Sequence, residues 1–184
     1  MVGALSVGAA ITGASTFAAK LGRPWMHRWG ATDDEVEAVL PGDELTPDAH
    51  SISTRAITVH APPERVWPWL CQIDQQRGGF YSYRWLEDLV GCEMPRVERL
   101  DPRWSNRSPG DFVWMAPSNR FGGNAFLVVN RADANRALVL VSPDETLDTT
   151  PGSGSWAMVL RPVDAQTTRL VVRSRYARPN LPFE

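Results

Sequence analysis

Short runs in which apolar and polar residues alternate occupy most of the chain after residue 50. The first, from Ser51 to His60, is rich in Ile, Val and Thr and stops at Pro62-Pro63, so it predicts a β-strand. Gly, Pro, Asn and Asp separate the later runs and predict turns between strands. These further strands are predicted at 97–100, 111–116, 125–130, 137–141, 155–161 and 169–176.

Apolar residues at helical spacing lie between the first two of these strands. Pro63 suits the first turn of a helix whose apolar stripe continues to Ile73, and Pro68 should kink or shorten it. A second short helix is predicted from Phe80 to Leu89, because its apolar residues recur with helical period. One strand, two short helices and then a meander of strands predict an α+β domain with an antiparallel sheet.

The N-terminal 22 residues form a separate apolar segment. No charged residue occurs from Met1 to Ala19, which is nearly the length that spans a bilayer, although Gly, Ser and Thr dilute its apolar character. The segment is therefore either a membrane helix or a helix at the start of the soluble domain. Positive residues follow it rather than precede it, which disfavours an export signal and, if the segment inserts, leaves the rest of the chain in the cytoplasm.

The rest of the chain divides into a short connecting region and one domain. Residues 23–45 should form a short helix, capped by Thr32 and ending near Leu40, followed by a linker. Residues 46–184 should form the folded domain, since the whole chain has the length of one ordinary domain. The expected localisation is cytoplasmic, with membrane attachment through residues 1–20 as the open alternative.

The charge and composition of the chain exclude some classes of binding partner. The formal net charge is -2 and Lys20 is the only lysine, so the chain lacks the positive charge that nucleic acid binding requires. Cys71 and Cys92 do not have the spacing of a zinc or redox motif and are expected to be free thiols, and the three histidines are scattered. No metal or cofactor is therefore expected. The eight tryptophans are unusual, because such large rings either fill a core or line a pocket.

The residues around the first strand and helix carry a family resemblance. The segment from Thr54 to Leu70, with its Pro pair followed by Val66-Trp67-Pro68-Trp69-Leu70, resembles the SRPBCC, START-like superfamily, especially its polyketide cyclase-like members. The Arg77-Gly78-Gly79-Phe80-Tyr81-Ser82-Tyr83 segment is similar to the same subgroup. The resemblance covers roughly residues 29–178.

This resemblance implies a helix-grip fold, in which a curved antiparallel sheet of about seven strands holds a long C-terminal helix over an apolar cavity. The residues after Tyr176 are too few to form that helix. We therefore expect either that the sequence is a fragment or that another element closes the cavity. The N-terminal segment or a second copy of the chain, in a homodimer, could do so.

Aromatic and apolar residues of the predicted strands are candidates to wall the cavity, although strand alternation alone equally indicates core packing. Rings after the Gly-Gly loop could gate its entrance, or could seat the second helix on the sheet. Arg173 and Arg175 share a face of the last strand and point either to the cavity, where they would bind a carboxylate or phosphate, or to solvent. The candidate ligand-binding residues are Phe80, Tyr81, Tyr83, Trp85, Trp114, Phe126, Trp156, Met158 and Arg173.

Three functions remain open at this point. The first is a non-catalytic module that binds or carries a small hydrophobic molecule, such as a lipid or polyketide-like compound. The second is a cyclase or dehydratase that uses the same cavity, with Tyr81 or Glu87 moving protons; this alternative rests on the resemblance, because the sequence contains no catalytic motif. The third is a membrane-tethered domain with a structural role.

Overall fold

The computed structural model describes residues 25–80, 97–117, 125–143 and 151–177. Two α-helices and six strands lie wholly in these ranges, residues 25–27 are also helical, and single 3₁₀ turns occur at Asp43–Leu45 and Pro102–Trp104. We label the helices α1 (Asp33–Glu37) and α2 (Pro63–Cys71). The strands are β1 (Ser51–Val59), β2 (Phe112–Trp114), β3 (Phe126–Asp133), β4 (Ala137–Pro143), β5 (Pro151–Asp164) and β6 (Thr167–Tyr176).

The six strands form one antiparallel sheet in the order β1-β6-β5-β4-β3-β2. The prediction of an α+β fold with a curved antiparallel sheet is confirmed, but the count of seven strands is wrong for the described residues, because 97–100 is not a strand. Its backbone bonds instead to the side-chain amide of Gln72, whose nitrogen donates to the Arg99 carbonyl and whose oxygen accepts from the Asp101 amide. This segment is thereby held at the end of α2 rather than in the sheet.

The helix α2 packs on one side of the sheet, which we call the helix face. Pro63 occupies its first turn, and the helix continues through Pro68 to Cys71. Its buried residues Val66, Trp67, Leu70 and Cys71 join a core formed with Val113, Val129, Leu138, Leu140, Met158 and Leu160. Burying such side chains stabilises the fold by about 1.5–3 kcal/mol each, so this core fixes α2 over the middle strands.

Residues 25–50 pack on the opposite side of the sheet, which we call the N-terminal face. Leu40 is buried among Ala56, Ala137, Val159 and Val171. Gly42 lies so close to the sheet that an added Cβ would press on the Val139 and Ala157 side chains. The stretch that the sequence predicted to be partly a linker is therefore, over its described residues, part of the packed structure.

Arg173 ties this segment to the sheet. Its guanidinium, with a side chain only 3% exposed, donates to the carbonyl oxygens of Glu35, Val36 and Ala38 at the end of α1. It also donates to the Thr54 hydroxyl and to the Asp43 carboxylate, the latter at 2.6 Å. A cation at a helix C-terminus satisfies carbonyl groups that have no partner inside the helix.

A second buried arginine holds the loop before β2. Arg107 pairs with Asp74 at 3.0 Å, and both side chains are almost fully buried. Its other donors reach the carbonyl oxygens of Cys71, Ile73 and Phe112. Together these bonds connect the end of α2 with β2. The residues described by the structure include no helix long and apolar enough to cross a membrane, and residues 1–22 lie outside them.

Candidate functional site

The helix face is not filled along its whole length. Beyond the part covered by α2, a pocket of about 280 Å³ lies over β1, β6, β5 and β4. Its apolar lining comes from Met115, Leu127, Trp156 and Val172, and its polar lining includes Ser53, Ser142, Ser174 and Arg55. This volume is near the lower end of the range for small-molecule sites.

A second hollow of about 300 Å³ lies beside α2 on the same face. Its lining is apolar except for Arg65 and consists of Val59, Ala61, Arg65, Val66, Trp69, Leu70 and Leu170. Leu170 lines this hollow and Val172, two residues along β6 and on the same face, lines the first pocket. The two hollows therefore follow one another along β6.

Trp156 lines the first pocket, and Phe80 packs against it. Their rings stack with centroids 6.4 Å apart and planes inclined by 24°. Phe80 follows the 74–79 loop, which is held to the sheet by the bond from the Gln75 amide to the Trp114 carbonyl. Met158 lies two residues beyond Trp156 on the same face of β5 and is buried beneath α2. The structure thus brings Phe80, Trp156 and Met158 together on the helix face.

Polarity changes along the helix face in the same direction on three of the strands that line the pocket, β1, β6 and β4. Toward α2, β1 presents Ile57 and Val59, and β6 presents Leu170. Away from α2, β1 presents Ser53 and Arg55, which pair with Ser174 and Val172 of β6. On β4 the aliphatic Leu138 and Leu140 are followed by Ser142. One end of the site is therefore aliphatic and the other is rich in hydroxyl groups.

Arg55 is the charged side chain of this polar end. Its Nε donates to the Met26 carbonyl at 3.0 Å, which fixes the guanidinium beside the edge of β1. Its two terminal nitrogens have no partner among the described residues, and neither do the hydroxyls of Ser53, Ser142 and Ser174. The described residues that line the pocket include no carboxylate and no histidine, so Arg55 gives it positive character.

Several predicted site residues lie elsewhere. Trp114 and Phe126 pair across β2 and β3 and point to the N-terminal face, where their ring centroids are 5.1 Å apart in a cluster with Leu45. Arg173 also lies on the N-terminal face, and all its donors are taken by α1, Asp43 and Thr54. These three residues pack the structure together and do not line the pocket.

Four candidates lie outside the described residues: Tyr81, Tyr83, Trp85 and Glu87. Arg55 and the pocket serines were not among the site residues predicted from the sequence. The available signal was the alternation Ser53, Arg55, Ile57 on one face of a predicted strand, opposite the buried Thr54 and Ala56. Among the described His, Cys, Asp and Glu residues, no group is arranged to hold a metal ion.

No family model matches the sequence, and no curated protein matches it. Several solved structures do match this chain. Protein Ms6760 from Mycobacterium smegmatis is 18% identical, covers 68% of this chain and 72% of its own, and has a TM-score of 0.35. MLL2253 from Mesorhizobium loti is 15% identical, with 70% and 79% coverage and a TM-score of 0.36. Cgl2372 from Corynebacterium glutamicum, described as a Polyketide_cyc-like protein, is 16% identical, with 70% and 66% coverage and a TM-score of 0.38.

The described sheet, with α2 on one face, is compatible with the helix-grip arrangement that the START-like resemblance implies. The TM-scores are all below 0.5 and the identities below 25%. These likenesses therefore say nothing about what this chain binds or does.

Proposed function

We propose that this protein binds a small hydrophobic molecule on the helix face of its sheet. The observation that carries the proposal is the pocket beside Trp156. This pocket has a largely apolar lining, and no other described residue fills it. An aromatic ring that is stacked on one side and borders an open pocket on the other offers apolar area to a ligand at little entropic cost.

A binding role is favoured over a cyclase or dehydratase. Such an enzyme needs a general acid or base within hydrogen-bond reach of its substrate. The described lining offers serine hydroxyls, Tyr176 and an arginine, but no histidine and no carboxylate, which are frequent general acids and bases. The enzyme alternative therefore depends on Tyr81 and Glu87. It predicts turnover that falls in Tyr81→Phe or Glu87→Gln.

The binding proposal is tested by displacing the uncharged dye Nile red, whose emission reports an apolar site, with a panel of lipids and aromatic compounds. Trp156→Ala should weaken dye binding about tenfold or more, because it removes much of the apolar wall. Trp114→Ala is the matched control, since this ring packs on the N-terminal face. Equal binding by the wild type and Trp156→Ala, or loss only in Trp114→Ala, would contradict the proposed site.

A further inference from the structure

The polar end of the pocket has a composition that a purely hydrophobic ligand would leave unsatisfied. Ser53 and Ser174 lie directly opposite each other on β1 and β6, at the separation where adjacent side chains interact. Arg55 lies one alternation from Ser53 on the same face, and Ser142 borders the same pocket. Ser53, Arg55 and Ser174 thus lie together on the neighbouring strands β1 and β6, and Ser142 lies on β4, across β5, in the lining of the same pocket.

We propose that this polar end binds the carboxylate of an amphipathic ligand whose hydrocarbon part lies toward α2. This inference rests on the proposed binding function and specifies its ligand class. The terminal nitrogens of a guanidinium form a fork that fits two carboxylate oxygens, and serine hydroxyls donate to the same oxygens. The described lining contains one cation and no anion, so its charge complements an acid rather than an amine.

The direction of the ligand follows from the polarity gradient. A carboxylate at Ser53 and Ser174 lies level with Trp156, which pairs with Ser174. The next part of the molecule then passes over Val172, and its far end lies near Leu170 and the second hollow. The opposite direction would place the carboxylate in the second hollow, where Arg65 is the only described polar side chain, and would lay the hydrocarbon against free hydroxyls. The direction toward Ser53 and Ser174 gives the carboxylate hydroxyl donors as well as a guanidinium, and a charge removed from water needs such partners.

Decanoic acid and 1-decanol form a matched pair of ligands for the test, because they differ in charge but little in apolar area. Displacement of Nile red is measured at pH 7 in the wild type and in Arg55→Gln, Arg55→Lys and Arg131→Gln. Arg131 is an exposed arginine paired with Asp133 elsewhere on the sheet, so its variant controls for the loss of one positive charge.

The wild type should bind the acid about tenfold more tightly than the alcohol, as expected for a charge-assisted hydrogen bond. Arg55→Gln should remove this preference and leave alcohol binding unchanged, whereas Arg55→Lys should retain part of it and Arg131→Gln all of it. Acid binding by the wild type should also weaken with added salt, because screening reduces the attraction between partly exposed charges.

Three results would overturn the inference. If the alcohol displaces the dye as well as the acid does, the binding function stands and the carboxylate site does not. If Arg55→Gln keeps the preference, the carboxylate lies elsewhere. The same holds if the preference is lost in Arg65→Gln, a further variant that alters the arginine lining the second hollow. If Nile red itself does not bind, the proposed function fails and this inference fails with it.

Discussion

Replacing Arg173 with methionine should destabilise the protein strongly without changing ligand affinity. The substitution keeps most of the aliphatic stem but removes all donors to the Asp43 carboxylate, the Thr54 hydroxyl and three carbonyls at the end of α1. Breaking a buried ion pair by removing one partner costs about 3–5 kcal/mol. Arg175, whose Nη1 lies 3.6 Å from Asp43 Oδ1, still neutralises part of the Asp43 charge in the variant. We therefore expect the free energy of unfolding to fall by about 3 kcal/mol.

Urea unfolding, followed by circular dichroism and tryptophan fluorescence, measures this loss. With a denaturant slope of about 2 kcal/mol per molar urea, the midpoint should fall by about 1.5 M. Arg131→Met is the matched control, because its partner Asp133 and the arginine itself are about half exposed, and such surface pairs contribute about 1 kcal/mol or less.

The same two variants also decide where Arg173 acts. If Arg173 lined the ligand site, its replacement would weaken ligand binding and alter stability little. We expect instead that Arg173→Met lowers the stability and leaves the affinity for Nile red unchanged, with the affinity measured below the unfolding transition. A midpoint within about 0.5 M of that of Arg131→Met, together with weakened dye binding, would refute the assignment of Arg173 to the N-terminal face.

Three further predictions follow from the packed N-terminal face and the core. The Arg169 guanidinium lowers the pKa of the Glu35 carboxyl from 4.5 to about 2, so Glu35→Gln should cost about 2 kcal/mol at pH 7 after discounting for partial exposure. Gly30→Ala should destabilise more than Gly110→Ala, because both have positive φ but only at Gly30 does a Cβ collide with a β1 carbonyl. Burial raises the pKa of the Cys71 thiol to about 11, so this cysteine should resist thiol reagents until the protein unfolds.

Each of these has its own check. Because the folded-state pKa of Glu35 is depressed, its stabilisation is present above pH 4.5 and is lost as the pH falls toward 2; a wild-type-to-variant difference that stays constant over that range would count against the ion pair. Equal melting temperatures for the two glycine variants would count against the close approach at Gly30. For Cys71, a thiol reagent should label the folded wild type and the folded Cys71→Ser variant to the same extent. Less labelling of the folded variant would contradict the burial of Cys71.

Local structure was predictable where one segment of sequence decides it. Strand β1 and the start of α2 at Pro63 follow from alternation and from the proline position, and both are confirmed. The capping of α1 by Thr32 is also confirmed, although the helix ends at Glu37 rather than near Leu40. In each case the deciding residues are neighbours in sequence.

The choice between the two faces of the sheet was not predictable. Alternation places Trp114 with Phe112, and Trp156 with Met158, but it does not say which pair looks toward α2. Both faces are covered, one by α2 and the other by residues 25–50, so both carry apolar side chains. For the same reason Arg173 could not be assigned, since its acceptors in α1 lie about 135 residues earlier in the chain.

The most direct test of the account is a titration followed by the indole N–H resonances of the tryptophans in a ¹H–¹⁵N spectrum, with assignment by single Trp→Phe variants. On addition of decanoic acid the Trp156 resonance should shift, because its ring walls the pocket on the helix face, while that of Trp114 on the N-terminal face should not. A shift of Trp114 with Trp156 unchanged, at ligand concentrations that saturate binding, would contradict the central claim.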